Sequence, residues 1–276
     1  MSEYLHGAYG DTQANGNRVS TDSESAIVCI GTAPVHTLAL ASGESYPISK
    51  PVLVRNIAEA KKYFGYSDDW AKYTLCEAMH HFFETKGIGP LVFINVLDPT
   101  KAAHKSANPT TVSKTPVNNI ITIADAESVI LESVKVQTIV EEGDPTVKVK
   151  GTDYSIAYSA AKKTITITGI TTLGTDALNV VYDTIDATGV TSDDVIGATD
   201  NLGTNTGIFA VKNVYQLTGV IPAYMIAPGF SSVPTVHAAM FQLHTFGISA
   251  LCLTRLVICW ECQPRNWMPL STTRSM

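Results

Sequence analysis

The chain has 276 residues, of which 45% are hydrophobic and 16% charged, and its formal net charge is −6. This apolar fraction excludes a wholly disordered chain, and the length allows one or two domains. A sequence pI of about 5.6 argues against a general nucleic-acid binder. There is no run of 18 apolar residues, and the amino terminus lacks the basic and apolar blocks of a signal peptide. We therefore expect a soluble protein made inside the cell, with no membrane insertion.

Residues 1–25 are polar and rich in glycine, and they show no helical or strand period. The isolated apolar anchors in this segment are Tyr4, Leu5 and Tyr9. The pattern predicts an extended N-terminal arm, in which these three side chains are candidates for contacts with another subunit. A frayed terminus remains the alternative.

Residues 26–105 read as the first part of an α/β domain. The short apolar runs AIVCIG at 26–31 and LVFINVLD at 91–98 are typical of strands that are buried on both faces. Asn56 is a candidate N-cap for the helix IAEAKKYF, and Glu59 could return the hydrogen bond. A longer helix is predicted from Asp68 to Lys86.

Residues 106–206 change to a β pattern and to a different composition. From 110 to 206 there are 19 Thr, 13 Asp+Glu and 6 Lys, so this stretch carries −7 and the rest of the chain +1. Short alternating segments separated by turn formers predict a small inserted all-β domain, either a sandwich or a barrel. The predicted strands are Ile120–Ala124, Ser133–Val140, Thr146–Lys150, Tyr154–Tyr158, Thr164–Thr168 and Leu178–Tyr182.

The α/β pattern returns over 207–240, with a short helix that ends at Gly219, an apolar strand, and a helix whose first turn contains Pro234. The predicted fold class is therefore α/β (α+β): a core domain in two parts, 26–105 and 207–240, around the inserted all-β domain. Residues 241–276 are atypical, since they hold three of the five cysteines and two of the three tryptophans but no Lys or Asp.

The sequence contains none of the phosphate-binding, dinucleotide, zinc-protease or nucleophile motifs. Cys259 and Cys262, with Cys252 and His244 upstream, form the one cluster of metal-like ligands, and a second ligand pair at suitable spacing is missing. We therefore predict no catalytic residue, no cofactor and no metal.

Several segments together resemble the contractile phage tail sheath family, in particular the type found in phages of Gram-positive bacteria and in phage-tail-like bacteriocins. They are YLHGAYG, VCIGTAPVH, KPVLVRNIAEAKKYFGYSDDWAKYTLCEAM, GIGPLVFINVLDP, DAESVILESV, VKGTDYSIAYSAAKKTITIT and AVKNVYQLTGVIPAYMIAPGFSSVPTVHAAM. The resemblance is spread over about residues 1–240 and does not depend on a single motif.

The resemblance implies a structural subunit that polymerises as stacked hexameric rings around a tail tube, on a baseplate, and contracts to drive the tube through the host envelope. It implies a location in the virion tail after synthesis in the bacterial host, and no direct contact with nucleic acid. It also implies that terminal arms reach neighbouring subunits and complete their sheets. After HAAM at 237–240 the resemblance stops, and we expect a truncated sheath with an out-of-frame tail that forms few or no tubes.

Two other functions remain open at this point. A secreted or surface β-rich binding module would suit the Thr-rich segment, although no signal peptide is recognised. An α/β enzyme would use the loops after Gly31, Asp98 and Ala227, which follow the carboxyl ends of the predicted strands. No general base paired to a nucleophile is recognised there.

Overall fold

A computed structural model describes residues 25–41, 43–139, 144–243 and 249–250. The described chain is a mixed α/β structure with one five-stranded sheet, two three-stranded sheets and five short α-helices. The predicted arm over 1–25, except for the backbone of Ser25, lies outside these residues, as does the Cys252–Cys262 cluster.

The five-stranded sheet has the order β11-β10-β1-β3-β2. The strand β1 lies at its centre and runs parallel to both β10 and β3, whereas the short edge strand β2 is antiparallel to β3. The chain therefore leaves the sheet after β3 and returns to it, on the other side of β1, at β10. The strands are β1 Ser25–Gly31, β2 Val52–Val54, β3 Leu91–Asn95, β10 Ile221–Ile226 and β11 Ser249–Ala250.

Apolar side chains cover both faces of this sheet, as the continuous apolar runs predict. All five residues of β3 are buried. On one face Phe93 packs against Phe64 of the first helix, with the two ring centroids 5.9 Å apart. On the other face Val92 and Ile94 join a cluster that includes Met225 of β10 and Met240 of the last helix.

The helix α1 (Ile57–Phe64) begins where its capping residues predict. The Asn56 side chain accepts a hydrogen bond of 2.9 Å from the Glu59 amide. Glu59 does return a bond, but its carboxylate accepts from the Arg55 amide at 2.8 Å rather than from the cap residue itself. The first bond satisfies an amide that the first turn of the helix leaves without a partner, and the second holds the residue before the cap.

The helix predicted from Asp68 to Lys86 is wrong in its first part. The helix α2 covers only Thr74–Met79, turns occupy the residues before it, and His80–Thr85 continue as a wider π-helical turn. The reason lies outside the segment. Thr32, in the loop after β1, accepts the Leu75 amide through its carbonyl at 2.9 Å and the Thr74 amide through its hydroxyl at 3.0 Å, and so fixes where the helix begins.

Residues 110–182 form two antiparallel three-stranded sheets, ordered β4-β9-β6 and β5-β8-β7. Inward side chains of both sheets, among them Val136, Tyr154, Ile167 and Val180, share one buried cluster. The strands are β4 Thr110–Lys114, β5 Ile120–Ile123, β6 Lys135–Thr138, β7 Tyr154–Ser159, β8 Thr164–Gly169 and β9 Leu178–Tyr182. We call residues 110–182 the β module.

Two strands of the β module differ from the sequence prediction. The strand β4 was not predicted from the sequence. Only Val112 among its five residues is half-buried, so the segment lacks the apolar alternation that marks a strand. The segment Thr146–Lys150, predicted as a strand, makes only isolated bridges, Gln137 with Val147 and Lys150 with Tyr154. The Asp153 carboxylate accepts a hydrogen bond of 2.7 Å from the Val149 amide, so a turn replaces strand pairing at the end of this segment.

After the β module the chain packs back onto the sheet. Ile185, Val190 and Val195 are buried in the cluster that covers one face of the five-stranded sheet. The helix α3 (Ser192–Ile196) was not predicted from the sequence. The later helices are α4 (Val214–Thr218), which ends at the left-handed Gly219, and α5 (Pro234–Gln242), in which Pro234 occupies the first turn as predicted.

Candidate functional site

At the carboxyl ends of the parallel strands, where an α/β enzyme would bind its substrate, residues of the loops form hydrogen bonds with one another. Thr32 and Thr74 exchange hydrogen bonds there: the Thr32 amide donates to the Thr74 hydroxyl at 3.2 Å, and the Thr74 amide donates to the Thr32 hydroxyl at 3.0 Å. Gly229, in the loop after β10, lies so close that a Cβ there would be 2.9 Å from Thr74. Two of the three loops of the enzyme hypothesis therefore contact this helix start.

Asn95 joins the loop after β3 to the loop after β1. Its side chain is fully buried, and its Oδ1 accepts from the Ala33 amide at 2.9 Å and from the Leu97 amide at 3.1 Å. Its Nδ2 donates to the Leu97 carbonyl at 2.9 Å. All the polar atoms of this side chain are therefore engaged in holding loops, as expected for a structural residue.

Glu127 is the first polar hub between the β module and the α/β core. Its Oε1 accepts the Ser67 hydroxyl, its Oε2 accepts Lys163 Nζ at 2.8 Å, and its backbone carbonyl accepts His36 Nε2 at 2.8 Å. Burial works to raise the pKa of Glu127, but the bonds from Lys163 and Ser67 outweigh it and lower the pKa.

His36 is fully buried at this hub and is held neutral. Because Nε2 lies against a carbonyl, it carries the proton, and Nδ1 is left without a hydrogen-bond partner. A second proton would have to occupy that buried nitrogen. Burial accordingly lowers the pKa of His36 to about 4.

Asp194, in α3, is the second hub and lies near the carboxyl end of β3. It accepts Lys101 Nζ through Oδ1, and Thr191 through Oδ2 at 2.8 Å. Burial opposes its ionisation, but the bonds from Lys101 and Thr191 hold its pKa well below the usual range. The buried His104 accepts the Asp98 amide at Nδ1, at 3.0 Å, so its Nε2 carries a proton and faces Asp194 at 3.4 Å.

A groove of about 1010 Å³ runs along the edge strand β2. Leu53 of β2, Tyr63 of α1 and Leu217 of α4 contribute its apolar side chains, and Tyr63 and Leu217 are 40% and 55% exposed. Arg55 and Lys62 add positive charge. Val52 also lines the groove, and among the described residues β2 pairs only with β3, so its other edge is unpaired.

The structure leaves the predicted interaction residues untested, because Tyr4, Leu5 and Tyr9 lie outside the described residues, as do Cys252, Cys259 and Cys262. Within the described ranges, no group of three or more His, Cys, Asp or Glu side chains is placed to hold a metal ion. No helix in those ranges is long and apolar enough to cross a membrane.

Sequence reasoning missed two groups of polar residues. Glu127 and His36 join the β module to the core, and Asp194 and His104 join the two segments that flank the module. One local signal was available for Asp194. Thr191 stands three residues before it, and the two side chains form a capping box, which predicts a helix start. No local pattern marks Glu127 or the two histidines, because their partners are 60 or more residues away or lie in other elements.

No protein-family model matches the chain. Among curated proteins, the chain is similar to the tail sheath protein of Burkholderia phage BcepMu, with 29% identity over 239 residues. The similar region covers 85% of this chain and 45% of that protein, so the chain spans about half the length of the curated relative it matches.

Proposed function

We propose that this chain is a structural, non-enzymatic subunit of a contractile phage tail sheath. The observation that carries the proposal is the similarity to a tail sheath protein over 85% of the chain. In this proposal the subunits form hexameric rings that stack around the tail tube on a baseplate. Contraction of the rings then drives the tube through the host envelope, and the protein is located in the virion tail.

The described structure supports a mechanical role in two ways. The loops at the carboxyl ends of β1 and β3, and the start of α2, are held by bonds among Thr32, Thr74 and Asn95, so these groups serve packing. The β module is fixed to the core by Glu127 and by buried residues on its flanks. A subunit of this kind can change its contacts with neighbours as one body, without nucleotide or metal.

In the proposed assembly, residues 26–105 and 207–240 form the sheath core, 106–206 an inserted β domain on the outside, and 1–25 an arm. Tyr4, Leu5 and Tyr9 would dock the arm on a neighbouring subunit. Extended segments bind in this way by backbone hydrogen bonds to a strand edge, with alternate side chains setting the register. The edge of β2 is available for such pairing within the described residues.

Self-association of the purified protein tests the proposal. We expect sedimentation velocity to show an open-ended series of species that grows with concentration, and negative-stain electron microscopy to show arcs or rings with few or no regular tubes. Heterologous contacts give such open or ring-forming growth, whereas an isologous contact closes at a dimer. A chain that stays monomeric, or that stops at a closed dimer, at all concentrations would overturn the proposal.

A triple variant tests whether the N-terminal arm makes the contacts between subunits. Tyr4→Ala, Leu5→Ala and Tyr9→Ala together should abolish the larger species while the monomer keeps the circular dichroism spectrum of the folded chain. The matched control replaces Thr12, Gln13 and Asn15, polar residues of the same segment, by Ala. Equal assembly of the two variants would remove the arm from the proposal.

A further inference from the structure

The groove along β2 has both apolar and polar walls and carries three cations. Besides Arg55 and Lys62, Lys50 lines it, and none of these three cations has an ion pair among the described residues. Two carboxylates also line it, Glu44 and Glu59, and the second is already bonded to the Arg55 amide. An occupant with apolar side chains and negative charge fits this lining best.

The first 24 residues of the chain have that chemistry. They contain four carboxylates and one guanidinium, and their large apolar side chains are those of Met1, Tyr4, Leu5 and Tyr9. They contain no lysine. The segment is therefore acidic, with aromatic groups near its start, and it complements the three cations of the groove.

The chain path brings the end of this segment close to the groove. Residue Ser25 begins β1 and pairs with Ile221, which follows Thr218 by only three residues. Thr218 and Leu217 form one wall of the groove. Three residues span at most about 11 Å and paired strands lie about 5 Å apart, so β1 begins within about 16 Å of that wall.

This distance favours docking within one chain. About five extended residues cover 16 Å, which leaves Tyr4, Leu5 and Tyr9 free to lie along the groove. A tethered segment that can span its site has an effective concentration in the millimolar range. In a dilute subunit, its own segment therefore outcompetes that of another copy.

We propose that, in the unassembled subunit, residues 1–24 fold back into the groove between β2, α1 and α4 of the same chain and cover the edge of β2. This inference rests on the proposed sheath function, because it concerns the subunit before it meets its neighbours. The occupied edge cannot accept a strand from another copy. Assembly then requires the segment to leave its own groove, so larger species grow only as the subunit concentration rises and neighbouring grooves compete for the segment.

Photo-crosslinking within the full chain tests this inference. A p-benzoylphenylalanine is placed at Leu217, and equal amounts of light and isotopically heavy protein are mixed at about 10 μM. We expect crosslinks from this position to residues 1–24, with about a hundredfold more within a chain than between light and heavy chains, given the millimolar effective concentration. The same probe at Ile170, which is 58% exposed in the β module, should not reach the segment.

Charge variants provide the second arm of the test. Arg55→Glu with Lys62→Glu should lower the crosslink yield severalfold, and adding Glu3→Lys with Asp11→Lys should restore it. Lys86→Glu, at an exposed cation outside the groove, is the control. Crosslinks that occur mainly between chains, or that do not reach residues 1–24, would overturn the inference. Assembly of the unmodified protein is measured separately by microscopy. The crosslinking result therefore tests the docking of residues 1–24, and the microscopy result tests the sheath proposal.

Discussion

Glu127 offers the sharpest test of how the β module is attached to the core. The variant Glu127→Gln keeps the shape of the side chain and one acceptor oxygen but removes the charge. In the native protein that charge strengthens the bonds from Ser67 and Lys163. The carboxylate is only 24% exposed, whereas Lys163 is 48% exposed.

The magnitude follows from these environments. A hydrogen bond to a charged group contributes about 1.5–3 kcal/mol and a neutral one about 0.5–1.5 kcal/mol, so the Ser67 bond loses about 1 kcal/mol. The exposed pair with Lys163 adds about 0.2–1 kcal/mol. We therefore expect Glu127→Gln to lower the free energy of unfolding by about 1–2 kcal/mol at pH 7.

Urea unfolding followed by circular dichroism measures this change. Asp176→Asn is the control, because Asp176 is exposed and has no ion pair among the described residues, and it should change stability by less than about 0.5 kcal/mol. The folded pKa of Glu127 is depressed, so its contribution is present above the unfolded value of about 4.3 and is lost as the pH falls through the folded pKa. The difference between wild type and Glu127→Gln should shrink in that window. If the two variants are equally stable at pH 7, Glu127 does not hold the module.

Three further predictions concern other buried contacts. A Cβ at Gly189 would clash with the Ala103 carbonyl oxygen, so Gly189→Ala should destabilise the protein by about 1–3 kcal/mol. The loss is measured as a lower melting temperature, and an unchanged melting temperature would contradict the contact. Thr74→Val removes the acceptor of the buried Thr32 amide and should cost about 1–3 kcal/mol in urea unfolding, with Thr74→Ser as the rescue. His36 has a folded pKa of about 4, below its unfolded value of about 6.5, so the unfolded state takes up the proton first and stability falls as the pH drops from 6.5 to 4. His36→Gln keeps a donor for the Glu127 carbonyl and should flatten the curve of unfolding free energy against pH in that interval; an unchanged slope would exclude His36 as its source.

The sheet strands of the core were predictable from sequence, because a strand buried on both faces is a continuous apolar run. The run LVFINVLD gave β3, and all five residues of that strand are buried. The start of α2 was not predictable. Its first amides are satisfied by Thr32, which lies about 40 residues earlier and carries no local sign of that role. The acidic pair Asp68–Asp69, which looked like a helix start, lies in turns instead.

In the β module, too, strands with a clear apolar period were predictable, whereas contacts between distant residues were not. KTITITG alternates strictly and forms β8, whose inward Ile165 and Ile167 are fully buried. The edge strand β4 buries almost nothing, so its sequence has no period to detect. The hydrogen bonds of Glu127 and Asp194 depend on which surfaces come into contact after folding. No local pattern in a single sequence predicts those contacts.

Asn95 also determines how a load would pass through the subunit. The β module departs from the end of β3, and Asn95 ties that end to the loop after the central strand β1. A pull on the module is therefore delivered along β1 and β3 together, and the backbone bonds that join this pair to β10 and β2 resist it at once. Strands loaded in this direction must slide past each other as a whole, whereas strands pulled apart sideways separate one bond at a time. Through its buried side-chain amide, Asn95 thus distributes tension from the β module to both β3 and the central strand β1.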